Sequence, residues 1–207
     1  IVREGNTVSG TVSGPTWLGA EQAVLTDVGA VAFRGTIAGS GISAANDVGI
    51  WHGYILGVLT EVAREGDPAG VPGLPLGTVW SNLSGTGGFG APRMNNTNQV
   101  AFRAQVSGAS ITSTNDTGIW AHNDIGALVM VAREGNPATG VAGAVFTAFD
   151  AQSPVINKLG QVAFLATLNT GAQGIWATDP YGAMHLAMAT SAPVTVAPGD
   201  TRTITGI

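Results

Sequence analysis

The residues best suited to acid–base chemistry in this chain are its three histidines. His52 and His122 follow two corresponding tryptophans, Trp51 and Trp120, by one and two positions, and His185 stands apart. Alternate residues of a strand face opposite ways, so these offsets predict that His52 and His122 point to opposite faces of their sheets. Catalysis would require a nucleophile or a carboxylate beside each ring. No such partner recurs at a fixed spacing, so the sequence predicts no catalytic residue and a protein that is not an enzyme.

Two other patterns resemble binding motifs. Asn46-Asp47 and Asn115-Asp116 each precede a Gly-Ile-Trp. Ca²⁺ favours such oxygen ligands but requires about six to eight of them, so a turn closed by the Asn side chain is the preferred interpretation. The stretch 85–90 matches G-x-G-x-x-G, which binds dinucleotides only between a strand and a helix. Ala91-Pro92 and another strand follow instead, so the sequence predicts neither a metal nor a cofactor.

Three tryptophans, Trp51, Trp120 and Trp176, recur in equivalent positions. Aromatic side chains bury large areas, so a role in the core is expected. An exposed row of them would instead stack on sugar rings, which gives the alternative of a carbohydrate-binding surface module with glycans as partners. Three asparagines begin the N-x-[ST] pattern of candidate glycosylation sites: Asn82, Asn95 and Asn115.

A strand motif repeated three times positions these residues. It stands at residues 30–34, 99–103 and 161–165, each time after a turn rich in Asn, Asp or Gly. In the second copy one face carries Val100, Phe102, Ala104 and Val106, which is the two-residue period of a strand. Gly-Ile-Trp follows each copy, and Val-Ala-Arg-Glu-Gly then follows the first two, at 62–66 and 131–135. The same order of motifs indicates tandem structural units.

The predicted fold is all-β, with three tandem repeats of about 60–70 residues. Each repeat is expected to be a 3–4-stranded antiparallel meander, arranged as β-propeller-like blades or as a stacked β-array. Thr7 to Gly19 is expected to be irregular, and Arg64-Glu65 and its copies are expected to meet their equivalents in a ladder between units. The predicted divisions are an N-terminal strand (1–5), repeats 1 to 3 (6–66, 67–135 and 136–190) and a C-terminal extension (191–207).

Composition narrows the classes of partner. Charged residues make up 10% of the 207, the net charge is −5, and Lys158 is the single lysine. Without a basic patch, nucleic acid is not an expected partner, and no apolar run reaches the ~18 residues of a membrane span. A surface of Thr, Ser, Asn and Gly suits an extracellular protein. The chain begins at Ile1, which predicts a processed chain or a portion of a longer one.

The chain contains the motif Asn157-x-x-Gly160-x-x-Ala163-Phe164, and Gly-Ile-Trp and Val-Ala-Arg-Glu-Gly follow its other copies. It resembles the N-x-x-G-x-x-A-F tandem-repeat family of secreted bacterial surface proteins, of the choice-of-anchor type. The resemblance implies an exported, surface-associated β-repeat protein, and it transfers no catalytic residue. The chain departs from the motif at Thr26 and at Asn98.

The sequence therefore predicts an extracellular structural protein that assembles into a fibre or filament. Three units are too few for a closed propeller, which uses about four to eight blades. Unpaired strands at both termini are templates for a neighbouring chain. Head-to-tail polymerisation by terminal strand exchange is expected, with copies of the chain as partners. The assembly residues would be Ile1, Val2, Arg3, Val194, Val196, Ile204 and Ile207.

Overall fold

A computed structural model of the chain describes residues 2–8, 14–54, 57–152 and 154–207. Sheet 1 contains β1 (Thr16–Leu25), β2 (Ala30–Ala38), β3 (Val48–Tyr54) and β4 (Thr60–Arg64). Sheet 2 contains β5 (Val79–Asn82), β6 (Arg93–Met94), β7 (Val100–Ser107), β8 (Thr117–His122) and β9 (Leu128–Arg133). Sheet 3 contains β10 (Phe146–Phe149), β11 (Val155–Ile156), β12 (Val162–Leu168), β13 (Gln173–Thr178) and β14 (Met184–Ala189). A separate hairpin contains β15 (Pro193–Ala197) and β16 (Asp200–Thr203).

Each sheet is an antiparallel meander in which neighbours in sequence are neighbours in space. The first strand of sheets 2 and 3 is split in two, and both halves pair with the repeated strand, β7 or β12. The all-β class and the repeated meander are confirmed. No helix in the described ranges has the length and apolarity needed to cross a membrane.

Strand β1 corrects the last part of the stretch from Thr7 to Gly19 that was expected to be irregular; residues 9–13 of that stretch lie outside the described residues. It begins at Thr16 and pairs with β2 along its length. Its register shifts between Trp17 and Gly19 and again between Glu21 and Val24. Each irregularity disturbs the two-residue alternation, and that alternation is the signal by which a strand is found in a sequence.

The Gly-Ile-Trp motif is explained by packing within one sheet. Trp120 lies opposite Phe102 across β7 and β8, and the other two units repeat this pair. The Trp120 indole also covers Gly118, two residues earlier on the same face. A Cβ on Gly118 would lie 2.6 Å from Cζ2 of Trp120. The glycine therefore leaves the space that the indole occupies.

The three sheets stack face to face in chain order. Each sheet has an aromatic face, which carries the repeated Phe and Trp, and an alanine–isoleucine face. Seam 1 joins Ala30, Ala32, Ile50 and Ala63 of sheet 1 to Trp80, Phe102 and Trp120 of sheet 2. Seam 2 joins Ala101, Ile119, Ala121 and Ala132 of sheet 2 to Phe146, Phe164 and Trp176 of sheet 3. Small residues on one side make room for large rings on the other, so the two faces are complementary.

The terminal segments pair within the chain. The N–H of Gly5 donates to the carbonyl of Trp17 (2.8 Å), as Gly66 does to Trp80 (2.9 Å). Val2 packs against the aromatic face of sheet 1. Arg3 is exposed, and Ile1 lies outside the described residues. At the other end β15 and β16 pair with each other, so the predicted extension forms a hairpin of its own. Its apolar residues are half-buried or exposed: Val194, Val196, Ile204 and Ile207.

Candidate functional site: the seams between the sheets

Seam 1 brings two histidines together. The ring centroids of His52 and His122 are 5.5 Å apart. His52 lies opposite Ala32 and His122 opposite Leu128, and both of these neighbours pack in seam 1. The two rings do point to opposite faces of their own sheets, as predicted. In a stack those are the faces that meet, which brings the two rings together. The expectation that no catalytic residue is present stays a prediction.

The hydrogen bonds of the two rings differ. Nδ1 of His122 accepts a hydrogen bond from the N–H of Val100 (3.2 Å), so in the neutral ring the proton lies on Nε2. Nδ1 of His52 is buried and has no hydrogen-bond partner among the described residues. Burial lowers the pKa of both imidazoles. The neighbouring His52 lowers the pKa of His122 further, while a hydrogen bond with the backbone of Asn98 acts in the opposite direction. The pair is therefore neutral at pH 7.

The histidines line an open cleft of about 690 Å³ beside seam 1. Its charged lining residues are Glu61, Asp124 and Lys158. Partial burial raises the pKa of Glu61 to about 7. Among the described residues, no group of three or more His, Asp or Glu side chains lies close enough together to hold a metal ion. The proton on Nε2 of His122 also blocks the atom that would ligate one. The cleft offers hydrogen-bonding groups and titratable groups.

Each seam also buries the arginine of a repeated strand. In seam 1 Arg34 donates to the carbonyl of Phe89 (3.5 Å). In seam 2 Arg103 donates to the carbonyls of Phe149 and Gly87. The guanidinium carbon of Arg103 lies 4.2 Å from the ring centroid of Phe89. Two guanidinium groups therefore contact the glycine-rich loop that contains Phe89. Arg34 forms a hydrogen bond with it, and Arg103 forms both a hydrogen bond and a cation–π contact.

The glutamates of the Val-Ala-Arg-Glu-Gly motif are buried at the seams as well. The carboxylate of Glu65 accepts a hydrogen bond from the N–H of Leu83 in the next unit (2.6 Å). Burial raises the pKa of Glu134 to about 7, and the charge of Asp116 adds to this effect. Hydrogen bonds from Thr117 lower the pKa of Glu134 and only partly offset the burial. Glu65 thus joins one unit to the backbone of the next.

The predicted ladder of equivalent Arg and Glu side chains is wrong. Arg64 forms ion pairs with Glu61 (3.3 Å) on its own strand, β4, and with Asp67 (2.9 Å) just after that strand. It also donates to the carbonyl of Asn46 (3.3 Å). Neighbouring residues of a strand face opposite ways, so Arg64 and Glu65 serve different surfaces.

The tryptophans give no stacking surface for sugars. Trp51 is 2% exposed, and Trp120 and Trp176 are 0% exposed. The indole N–H of Trp176 donates to the carbonyl of Thr139 (2.8 Å). The expectation of a core role is confirmed, and the carbohydrate-binding alternative loses the residues on which it depended.

One candidate glycosylation site is wrong. Asn95 is 5% exposed, and its amide nitrogen donates to the side chain of Gln99 (2.7 Å) and to the carbonyl of Asn157 (2.9 Å). A folded chain cannot present it to a modifying enzyme. Asn82 and Asn115 are half-buried, and their glycosylation stays a prediction.

Asparagine side chains form hydrogen bonds with the backbone of their own loops and turns. The side-chain oxygen of Asn46 accepts the N–H of Ser43 (2.7 Å), and Asn115 accepts that of Thr112 (2.8 Å), which confirms a turn-closing role. The equivalent turns at 26–29, 95–98 and 157–160 also bind each other across the seams. One of these contacts is the bond from Asn95 to the carbonyl of Asn157. The repeated turn thus links adjacent units.

The fold and its buried seams define a class of protein: a repeat protein of stacked antiparallel sheets, held together by complementary faces and buried polar contacts. The chain belongs to a family of unknown function, DUF7453, whose sequence model matches residues 1–207. Comparisons with curated proteins and with solved structures find no match.

Proposed function

We propose that this protein is a structural subunit, not an enzyme, that associates head to tail with copies of itself through the two end faces of its stack. One observation carries the proposal. Each inner seam joins an aromatic face to an alanine–isoleucine face, and one face of each kind is left over at the ends. Two different, complementary ends make a heterologous contact, which gives an open filament when the rotation does not close.

The outer face of sheet 3 is an apolar surface with an exposed edge. Val155 lies opposite Ala163 and is 56% exposed, and Met188 lies opposite Ile175 and is 38% exposed. Leu165 and Ile175 are half-buried. The corresponding residues of sheet 2, such as Ile119 at 0% exposure, are fully covered by the next sheet. An apolar sheet face open to water favours a covering partner.

This face also lacks the charges of the inner seams. Leu165 stands where the second unit has Arg103, and Thr190 stands where it has Glu134. A contact on sheet 3 would therefore bury no counterpart of Arg103 or Glu134, which removes that desolvation cost from association between chains. His185 lies on the same face, opposite Ala177, and its partner Asp179 (3.1 Å) is already present in the same sheet. The occupant that fits best is another apolar sheet.

The aromatic face of sheet 1 has room for such a partner. Val31 is half-buried, whereas its counterpart in seam 1, Val100, is 0% exposed. An apolar cavity of about 270 Å³ lies beside Val31, Phe33 and Leu59. The rings of this face are 2–4% exposed, because Val2 and other apolar side chains of the same chain already pack on them. The open part of the face is therefore the region around Val31. A second copy that docked its sheet 3 here would extend the stack with the same pairing of faces.

Docking through faces agrees better with the termini than strand exchange does, because both terminal segments already pair within the chain. The extracellular setting is part of the proposal. It is supported by the low charge, the single lysine and the resemblance to secreted bacterial surface repeats.

Light scattering across a concentration series tests the association. The intact chain is expected to form oligomers that grow with concentration. Leu165→Glu and Val31→Glu, one at each end face, should each abolish growth. Leu76→Glu is the matched control, because Leu76 is fully exposed in a loop between units (105%).

Mixing the two end variants tests the direction of the contact. Each retains one intact face, so the mixture should form dimers although neither variant associates alone. A chain lacking residues 193–207 should still associate if faces dock, and should not if the termini exchange strands. A monomeric intact chain at high concentration would overturn the proposal.

A further inference from the structure

Seam 1 differs from seam 2 at one pair of positions. His52 and His122 in seam 1 correspond to Ala121 and Thr178 in seam 2. The hydroxyl of Thr178 accepts the N–H of Val162 (2.9 Å), as Nδ1 of His122 accepts that of Val100 (3.2 Å). The backbone N–H at this position therefore has a hydrogen-bond acceptor in both the second and the third unit. Only the second unit uses an acceptor that can take up a proton near neutral pH.

We propose that His52 and His122 form an acid-sensitive contact that loosens seam 1 when the rings are protonated. A protonated imidazole carries hydrogens on both nitrogens. Nδ1 of His122 would then carry a hydrogen and face the N–H of Val100, so two donors would meet. The hydrogen bond between these residues would be lost. If His52 were protonated as well, the two rings would both be positively charged, with centroids 5.5 Å apart. This inference does not depend on association between chains.

The charged groups around the cleft do not offset this change. They are Glu61 on β4, Asp124 after β8, and Lys158 before β12. Partial burial raises the pKa of Glu61 to about 7, so this carboxylate loses its charge as acid begins to protonate the histidines. Asp124 is exposed and screened by water. Lys158 adds a further positive charge.

The direction of the pH effect follows from the lowered pKa values of the two histidines. A base with a lower pKa in the closed seam than in the open one binds protons preferentially in the open seam. The closed seam is therefore fully favoured above the ordinary value of 6.5 and is weakened as the pH falls through the lowered pKa values. At a pH well below both pKa values, each unit by which the pKa in the open seam exceeds that in the closed seam favours opening about tenfold.

Amide hydrogen exchange of Val100 measures this opening directly. The internal control is Val162, whose acceptor, Thr178, does not titrate. After correction for intrinsic rates, protection of Val100 is expected to fall on the order of tenfold more than that of Val162 between pH 7.5 and pH 5. His122→Thr, which copies the third unit, should remove the difference. His185→Thr should behave as the intact chain does, because His185 is exposed and lies beside Asp179 (3.1 Å).

Nuclear magnetic resonance titration of the histidine rings provides a second readout on the unaltered chain. His122 should titrate below 6.5 with its neutral proton on Nε2. The proposal is overturned if Val100 and Val162 lose protection equally, or if His122→Thr retains the acid sensitivity. Titration of His122 at or above 6.5 would overturn it even if the variant failed to fold.

Discussion

Replacing Gly118 by alanine tests the packing that explains the Gly-Ile-Trp motif. The added Cβ would lie 2.6 Å from Cζ2 of Trp120 and 3.0 Å from the backbone oxygen of Ala132. Trp120 is 0% exposed and its ring lies 5.0 Å from that of Trp80, so it has no free space into which to move. The oxygen belongs to the paired strand β9. Both neighbours therefore resist the new atom.

The magnitude follows from two opposing effects. Removing a glycine restricts the unfolded chain and by itself stabilises the fold by about 0.5–1 kcal/mol. Overpacking a well-filled core costs about 1–3 kcal/mol. The expected net change is a loss of up to about 2.5 kcal/mol in the free energy of unfolding. Gly19→Ala is the matched control, because a Cβ on Gly19 would meet nothing within 4 Å; it should be neutral or slightly stabilising.

Urea titration followed by tryptophan fluorescence measures both variants under the same conditions. Since the two share the same chemical change, their difference isolates the contact with the indole and the strand. If Gly118→Ala unfolds at the same urea concentration as Gly19→Ala, the indole does not occupy the space above the glycine, and the explanation of the motif is wrong.

Three further predictions concern the seams. Phe102→Ala should cost about 3–5 kcal/mol in urea titration, because Phe102 is 0% exposed between the sheets; a loss below about 1 kcal/mol would contradict this packing. Glu134 has a pKa of about 7 in the folded chain against 4.5 ordinarily, so its contribution to stability is present at acid pH and is lost as the pH rises from 4.5 to 7. Glu134→Gln should flatten that part of the pH–stability profile, and an unchanged profile would refute the role of burial. Acrylamide should quench the buried tryptophans weakly, and oligosaccharides should leave their emission unchanged; a shift on adding sugar would restore the carbohydrate-binding alternative.

The sequence by itself was sufficient for the class of fold and the unit of repetition. Alternation around Phe33, Phe102 and Phe164 identifies strands and their buried faces, because the two-residue period is a property of the local backbone. The recurring Gly-Ile-Trp gives the order of the strands within a unit. Strand β1 was missed because its bulges disturb that period.

The arrangement of the seams was decided only by the tertiary structure. A two-residue period assigns His52 and His122 to opposite faces, but it does not say which sheet lies across from each face. Stacking brings those faces together, and the same stacking brings Arg34 to the carbonyl of Phe89 and Arg103 to the carbonyl of Phe149. These contacts join residues 46 to 70 positions apart. Their pairing depends on how whole sheets pack, which no local pattern of residues specifies.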